Sequence, residues 1–378
     1  MGAVTDDYRD CSFWLDDVAA AGDSLDRRAS LPGARDVDVA IVGAGYTGLW
    51  TAHHLLDRDP TLRIAVLEKE IAGFGASGRN GGWCSALFPA SMERIAATSS
   101  REGAIAMRRA MYDSVDEVGQ ATATNGIDCD YDKGGTLSLI RGHAQLARAK
   151  AKLEHARAWG ATESDVALLG PDETATRVHA TDALGALFTP HCAAIHPAKL
   201  VRGLAELVEQ RGAVIYEGTP VTAISPHRVD TRHGVVRADV VVRATEGYTP
   251  TLRGQRRALA PVYSLMLATE PLSDETWDAV GLRQRETFND MRHLIIYGQR
   301  TAGGRMAFGG RGAPYHYGSR VASSFDREPE VFAALRDIAV ELFPPLADAA
   351  ITHSWGGPLG VPRDWFASVG IDRATGLA

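Results

Sequence analysis

The stretch from Val37 to Glu68, VDVAIVGAGYTGLWTAHHLLDRDPTLRIAVLE, limits the possible folds of this chain more than any other. A β-branched run (Val37, Val39, Ile41, Val42) stops at Gly43-Ala44-Gly45-Tyr46-Thr47-Gly48, a helical pattern follows, and a second apolar run, Ile64 to Leu67, ends on Glu68. A strand that enters a helix through GxGxxG predicts a βαβ unit built around an adenine dinucleotide. Gly43 permits the tight turn, Gly45 lets backbone approach a pyrophosphate, and Gly48 lets the helix press on the strand. The helix start then offers free N–H groups and the positive end of its dipole to the phosphates. Glu68 follows Gly48 by 20 residues, placed to accept the ribose hydroxyls. A ligand-free glycine turn would leave that acid without a purpose.

A second glycine cluster follows directly. Ile71 to Trp83 reads IAGFGASGRNGGW, too rich in glycine for the interior of a helix or strand, so its backbone must come close to something. Downstream, the apolar spacing predicts one helix from about Met92 to Thr124, a strand pair around Gly134-Gly135, and helices over about 144–159 and from Pro171. After His196-Pro197 an amphipathic helix over 198–211 leads to the strand Val214–Tyr216. Short strand candidates follow at Val221–Ile224, Arg228–Thr231 and Val235-Val236, then a parallel-type strand from Asp239 into Ala244-Thr245-Glu246-Gly247. The nucleotide unit therefore resumes here after an excursion. Residues 255–320 are strand-rich, a helix spans about Glu328 to Leu342, and Ile351–Trp355 is the last strand candidate. The apolar knot Cys11 to Leu15 reads as an N-terminal arm laying its aromatics on the body.

Composition narrows the function. Forty Lys and Arg against 47 Asp and Glu give a net charge of −7 without an extended basic run, which argues against nucleic acid. No apolar run is long enough for a membrane span, and the N-terminus has no signal-like pattern. The four cysteines (Cys11, Cys84, Cys129, Cys192) have no metal-ligand spacing and read as reduced thiols, so a cytoplasmic protein without a metal is expected.

With these segments in hand, the chain resembles the flavin-dependent amine and amino-acid oxidoreductases of the D-amino-acid oxidase, glycine oxidase and sarcosine oxidase superfamily. It is most similar to the gamma-glutamylputrescine oxidoreductase branch. The resemblance rests on VAIVGAGYTGLWTAHHL with Glu68, on GFGASGRNGGW, on ADVVVRATEGYTP, and on the HP pair and the FGGRG and WGGPLG segments. It implies a mixed α/β fold with a Rossmann-like FAD domain assembled from 36–90, 191–254 and 346–378. A substrate domain with a mainly antiparallel sheet would comprise 91–190 and 255–345, and residues 1–35 would be the arm. Relatives continue past the WGG strand into a glycine turn and a helix. This sequence ends at Ala378 before such a turn, so the FAD domain is expected to be incomplete at that end.

The resemblance also implies the site. Gly43, Gly45, Thr47 and Gly48 would bind the FAD pyrophosphate, and Glu68 with its neighbour Lys69 the ribose. Gly75, Ala76, Ser77, Arg79, Asn80, Gly81 and Gly82 would line the approach to the flavin, with Arg79 supplying positive charge beside it. Val221 would meet adenine through its backbone, and Ala244, Thr245 and Gly247 would close over the dinucleotide. The implied reaction is oxidation of the C–N bond of a primary or secondary amine or amino acid (gamma-glutamylputrescine-like or sarcosine-like) to an imine, by hydride transfer to flavin N5. O2 or another electron acceptor would be the second substrate. The alternative is a truncated, catalytically inactive binding protein on the same fold.

Amine oxidation by flavin depends mainly on positioning, so no catalytic triad is expected. Arg311, among the glycines of Phe308-Gly-Gly-Arg-Gly, is a candidate carboxylate clamp; otherwise it is a turn arginine. Tyr263 and Tyr297 lie in apolar strands and are candidates to polarise an amine; otherwise they are core tyrosines. The loop from Arg79 to Trp83 has no histidine, and Cys84 reads as a small buried hydrophobe, so FAD is expected to be non-covalent. Residues 255–320 contain no lysine. In sarcosine-oxidase-like relatives a lysine there assists oxygen activation, so a dehydrogenase is a credible alternative to an oxidase.

Overall fold

The computed structural model describes residues 7–378. The first six residues of the expected arm lie outside that range. The fold is mixed α/β, built on a six-stranded and an eight-stranded sheet with a short two-stranded ribbon, Trp83–Ser85 against Cys192–Ala194.

The six-stranded sheet runs in the order Val214–Tyr216, Ile64–Leu67, Arg35–Val42, Val235–Arg243, Arg228–Thr231, Val221–Ser225. The first four strands are parallel, and the last two return as an antiparallel meander. Side-chain alternation explains the layering. Val39 and Ile41 join Leu49 and Leu56 of the helix Tyr46–Arg58 and Leu200, Leu204 and Val208 of the helix Pro197–Gln210. Ala40 and Val42 turn to the other face, against Leu67, Val229, Val236 and Val241. Covered on both faces, Ile64–Leu67 is apolar throughout.

The eight-stranded sheet runs Ile351–Pro362, Leu259–Thr269, Met306–Gly310, Ile296–Arg300, Thr287–Asp290, Thr136–Ile140, Gly185–Thr189, Ala167–Leu169. All neighbours are antiparallel except Thr287–Asp290 with Thr136–Ile140. One face buries Leu265, Leu267, Phe288, Ile296 and Phe308 against Leu335 and Leu342 of the helix Pro329–Leu342 and against Phe343. The opposite face carries Met266, Tyr297 and Ala307, and Trp355 joins it. Stretch 346–378 contributes to both sheets: Ile351–Pro362 pairs with Leu259–Thr269, and Leu377 bridges in parallel to Val241.

Three local expectations are corrected. The helix expected over Met92–Thr124 is two, Met92–Thr98 and Arg101–Thr124, because the Ser100 hydroxyl accepts from Gly103 N–H at 3.0 Å and starts a new helix. The pair expected around Gly134-Gly135 is a single strand, Thr136–Ile140; Asp132 makes only an isolated bridge to Ala194. Val235-Val236 and Asp239–Arg243 are one continuous strand.

Candidate functional site

The first strand delivers Gly43 to the carboxyl end of the parallel strands, where open α/β sheets bind ligands. Gly43 has φ +109°, and a Cβ there would stand 2.4 Å from the Ala244 carbonyl oxygen. A Cβ on Gly48 would meet the Gly43 oxygen at 2.0 Å, so helix and strand approach as only glycine allows. Gly45 precedes the helix Tyr46–Arg58 without a side-chain cap, and the first turn's N–H groups have no intrahelical partner. Tyr46 N–H is taken by the Ser77 hydroxyl at 2.9 Å, which joins the two glycine segments. Thr47 is exposed on that first turn.

Glu68 stands half-buried beyond the second strand. Its carboxylate accepts from Ala44 N–H and from Glu70 N–H, each at 2.9 Å. Burial pushes this carboxyl above the usual glutamate range, against the pull of those two bonds, and the nearby Glu217 and Glu70 charges add to the rise. Lys69 points to the surface and pairs with Glu70 at 3.2 Å. Val221 is half-buried among Leu31, Leu67 and Val229. Ala244 N–H donates to Val42 at 2.9 Å, the Thr245 hydroxyl meets that of Thr249 at 2.8 Å, and Gly247 lies where a Cβ would be 2.8 Å from the Pro358 oxygen.

The second cluster makes a short 3-10 turn, Ala76–Gly78, after Gly75, and then runs beneath the eight-stranded sheet. The sheet and the arm hold it by its carbonyls. Ser12 Oγ donates to Gly78 O at 2.7 Å, Trp355 Nε1 to Arg79 O at 2.8 Å, and Trp14 Nε1 to Asn80 O at 2.8 Å. Gln299 Nε2 donates to Gly81 O at 2.8 Å and Gly82 O at 3.0 Å. The Asn80 side chain accepts from Gly82 N–H at 2.8 Å and donates to Ala76 and Ser77 carbonyls, stapling the turn. Arg79 is 6% exposed. Its guanidinium donates to Phe74 O at 2.7 Å, to Asp326 at 2.8 Å and to Gly356 O at 3.3 Å, and lies 4.4 Å from the Phe74 ring centroid. Its charge is thus neutralised within the protein.

Tyr297 lies over this loop: a Cβ on Gly81 would come 2.7 Å from its ring. Its hydroxyl meets Ser264 Oγ at 2.7 Å, and Ser264 also donates to Gly310 O at 3.2 Å. Burial pushes the Tyr297 phenol up, while the Ser264 bond and the charge of nearby Arg311 pull the other way. Arg311 is half-buried, stacks at 5.8 Å on Trp365, and has no carboxylate partner among the described residues. Tyr263 is not brought to this place. It belongs to the other face of the sheet, packed edge-on against His316 and Phe325. Among the described residues its hydroxyl reaches only the Ala322 backbone, at 3.4 Å from the carbonyl.

Sequence reasoning missed Ser12, Trp14, Ser264, Gln299 and Trp355. The Phe13-Trp14 pair in a polar arm and the tryptophan before Gly356-Gly357 were visible signals for two of them. Nothing local marks Ser264 or Gln299. Among the described residues no cluster of His, Cys, Asp and Glu could hold a metal, and no helix is long and apolar enough to cross a membrane.

A family model described as FAD dependent oxidoreductase matches residues 38–376. The chain is 30% identical over 344 residues to a probable oxidoreductase OrdL of Rhizobium meliloti, a match covering 89% of this chain and 76% of that protein. It is 29% identical over 330 residues to gamma-glutamylputrescine oxidoreductase of Escherichia coli, covering 85% and 73%. Glycine oxidase from Geobacillus kaustophilus shares the fold, with a TM-score of 0.69 at 23% identity over 91% of this chain and 88% of that one.

Proposed function

The chain belongs to the family of FAD dependent oxidoreductases, and we propose that it oxidises the C–N bond of a primary or secondary amine or amino acid to an imine. The observation that carries this reading is the Tyr297 hydroxyl. Ser264 spends its own proton on the Gly310 carbonyl, which can only accept. On this reading the phenol donates to Ser264 and leaves its oxygen lone pairs as acceptors, the arrangement needed to take an N–H from a substrate amine. The nearby Arg311 guanidinium, without a carboxylate partner among the described residues, suits a substrate carboxylate.

Clearance that only glycine provides at 43 and 48, and a carboxylate at the strand end, fit a dinucleotide. On this reading Gly43, Gly45, Thr47 and Gly48 hold the pyrophosphate, Glu68 and Lys69 the ribose side, Val221 the adenine, and Ala244, Thr245 and Gly247 the cover. Gly75, Ala76, Ser77, Asn80, Gly81 and Gly82 receive the flavin, while Arg79 fixes the loop through Asp326. Bound FAD supplies the two-electron acceptor. Attachment is non-covalent, in keeping with a Cys84 thiol pushed up to about 12 by burial. The six-stranded sheet serves FAD and the eight-stranded sheet the substrate. The protein works in the cytoplasm on a small gamma-glutamylputrescine-like or sarcosine-like amine. With no lysine in 255–320, an acceptor other than O2 is favoured.

The test is anaerobic titration of the FAD-loaded protein with a panel of amines, amino acids and 2-hydroxy acids, following loss of the oxidised flavin's visible absorbance. Bleaching by an amine or amino acid is expected. Bleaching by 2-hydroxy acids alone would overturn the donor class, and bleaching by none would favour a binding protein without turnover.

A further inference from the structure

We propose that Trp14, in the N-terminal arm, is a positioning residue for the cofactor: its indole aims the Gly81 N–H at the flavin. This rests on the reading that the loop over 75–82 receives the flavin. A peptide unit is planar and trans, so its C=O and N–H point in opposite directions. The carbonyl of Asn80 and the N–H of Gly81 belong to one such unit. Trp14 Nε1 holds that carbonyl at 2.8 Å from below, and so the Gly81 N–H is turned away from the arm.

Past the turn, the donors on either side of Gly81 are spent, Gly78 N–H on Gly75 O at 3.2 Å among them. Arg79 and Asn80 N–H both go to Ala76 O, at 3.2 and 2.9 Å, and Gly82 N–H goes to the Asn80 side chain. Gly81 N–H has no protein acceptor among the described residues, on a residue that is only half-buried. It is a donor available to a ligand, on the side of the loop away from Trp14.

Trp14 is itself rigid. It is 1% exposed, set edge-on to His196 at 4.9 Å and to Trp355 at 6.3 Å. The helix that carries it, Phe13–Ala20, is capped by Ser12, whose hydroxyl also holds the Gly78 carbonyl. Trp355 does the same for the preceding peptide, Arg79 O. Two indoles from opposite ends of the chain thus fix consecutive peptides of one loop. A donor fixed before the cofactor arrives costs no reorganisation on binding and favours the more electron-rich, reduced form of an acceptor.

Trp14→Phe removes the N–H and keeps the ring. Trp277→Phe is the control, because that indole is equally buried and donates to Gly304 O at 2.9 Å, far from the loop in sequence and outside its contacts. The measurements are the FAD Kd on reconstitution and the midpoint potential of the bound flavin. Trp14→Phe is expected to raise the Kd by about tenfold and to shift the potential to more negative values, with Trp277→Phe within about twofold of the parent. An unchanged Kd and potential in Trp14→Phe overturns the proposal. So does a weaker Kd at unchanged potential, which marks Trp14 as merely structural, and so does an equal effect of Trp277→Phe. Should Trp14→Phe not fold, replacing Trp14 by benzothienylalanine, which keeps the bicyclic ring and lacks the N–H, decides the matter by the same readouts. Parent protein that takes up no FAD defeats the underlying cofactor assignment and the proposal with it; FAD uptake with indifferent variants defeats the proposal alone.

Discussion

The Tyr297 and Ser264 hydroxyls meet at 2.7 Å, and Ser264 Oγ also lies 3.2 Å from the Gly310 carbonyl, an acceptor for its proton. A tyrosine on an apolar strand is thereby held in one orientation, as the proposed acceptor role requires. Tyr297→Phe should leave FAD binding unchanged and lower kcat/KM for amines by about 10- to 100-fold, the worth of one hydrogen bond to a reacting group. Ser264→Ala frees the phenol to rotate and should cost less. Equal kcat/KM in the parent and Tyr297→Phe would remove the tyrosine from the reaction.

Arg311 offers a second, separable test. Arg311→Met should raise KM by about 100-fold for substrates that carry a carboxylate and leave amines without one nearly unaffected, because only the former lose a charged partner. A uniform loss across both classes would show that the guanidinium supports the sheet and does not read the substrate.

The acid at the strand end predicts a pH dependence. Burial raises the folded-state Glu68 value above the ordinary one, so Glu68 takes up its proton at a higher pH than a free glutamate, about 4.3. In the proposed ribose role, protonation removes acceptor capacity, so FAD affinity should fall on acidification, beginning at a higher pH than an ordinary glutamate would set. Glu68→Gln should bind weakly and flatten the profile. The stability of the cofactor-free protein moves oppositely for this group. Its contribution is fully present below the unfolded value and lost as pH rises through the folded one.

Gly48→Ala places a methyl 2.0 Å from the Gly43 oxygen and 3.1 Å from Ile41, so strand and helix must part. A loss of about 3 kcal/mol in unfolding free energy and failure to retain FAD are expected. Gly142, with φ −177° and open space around it, should accept alanine for less than about 1 kcal/mol. Denaturant melts of the two variants measure the difference.

Arg79 and Asp326 form a buried pair, their side chains 4% and 17% exposed. Arg79→Met strands the carboxylate and should cost about 3 kcal/mol, and adding Asp326→Leu should recover part of it. No recovery in the double variant would place the energy in the arginine's carbonyl contacts instead.

The close approaches at Gly43 and Gly48 were legible because they leave a local mark: glycine at fixed offsets, with an acid closing the next strand. Strand positions such as Val214–Tyr216 and Arg228–Thr231 were legible for the same local reason, short β-branched runs between turns. Tyr263 and Tyr297 were not separable, because the face each one takes is set by the register between strands distant in sequence. Met266 and Tyr297 both oppose Gly309 across Met306–Gly310, which sets Tyr263 on the reverse side. The break at Ser99-Ser100 was masked by apolar spacing that continued across it. The pairing of Arg79 was not legible, since its carboxylate partner is Asp326, 247 residues away.

The loop from Gly78 to Gly82 is gripped by Ser12 and Trp14, made before it, and by Gln299 and Trp355, made long after it. During synthesis the GxGxxG turn can therefore take shape early, while the loop proposed to receive the flavin lacks half of its fasteners until Trp355, 276 residues after Arg79, has left the ribosome. Such long loop closures are slow. Cofactor capture is then a late event in the life of the nascent chain, and pulse-labelled protein should acquire protease resistance in the βαβ unit before it acquires flavin.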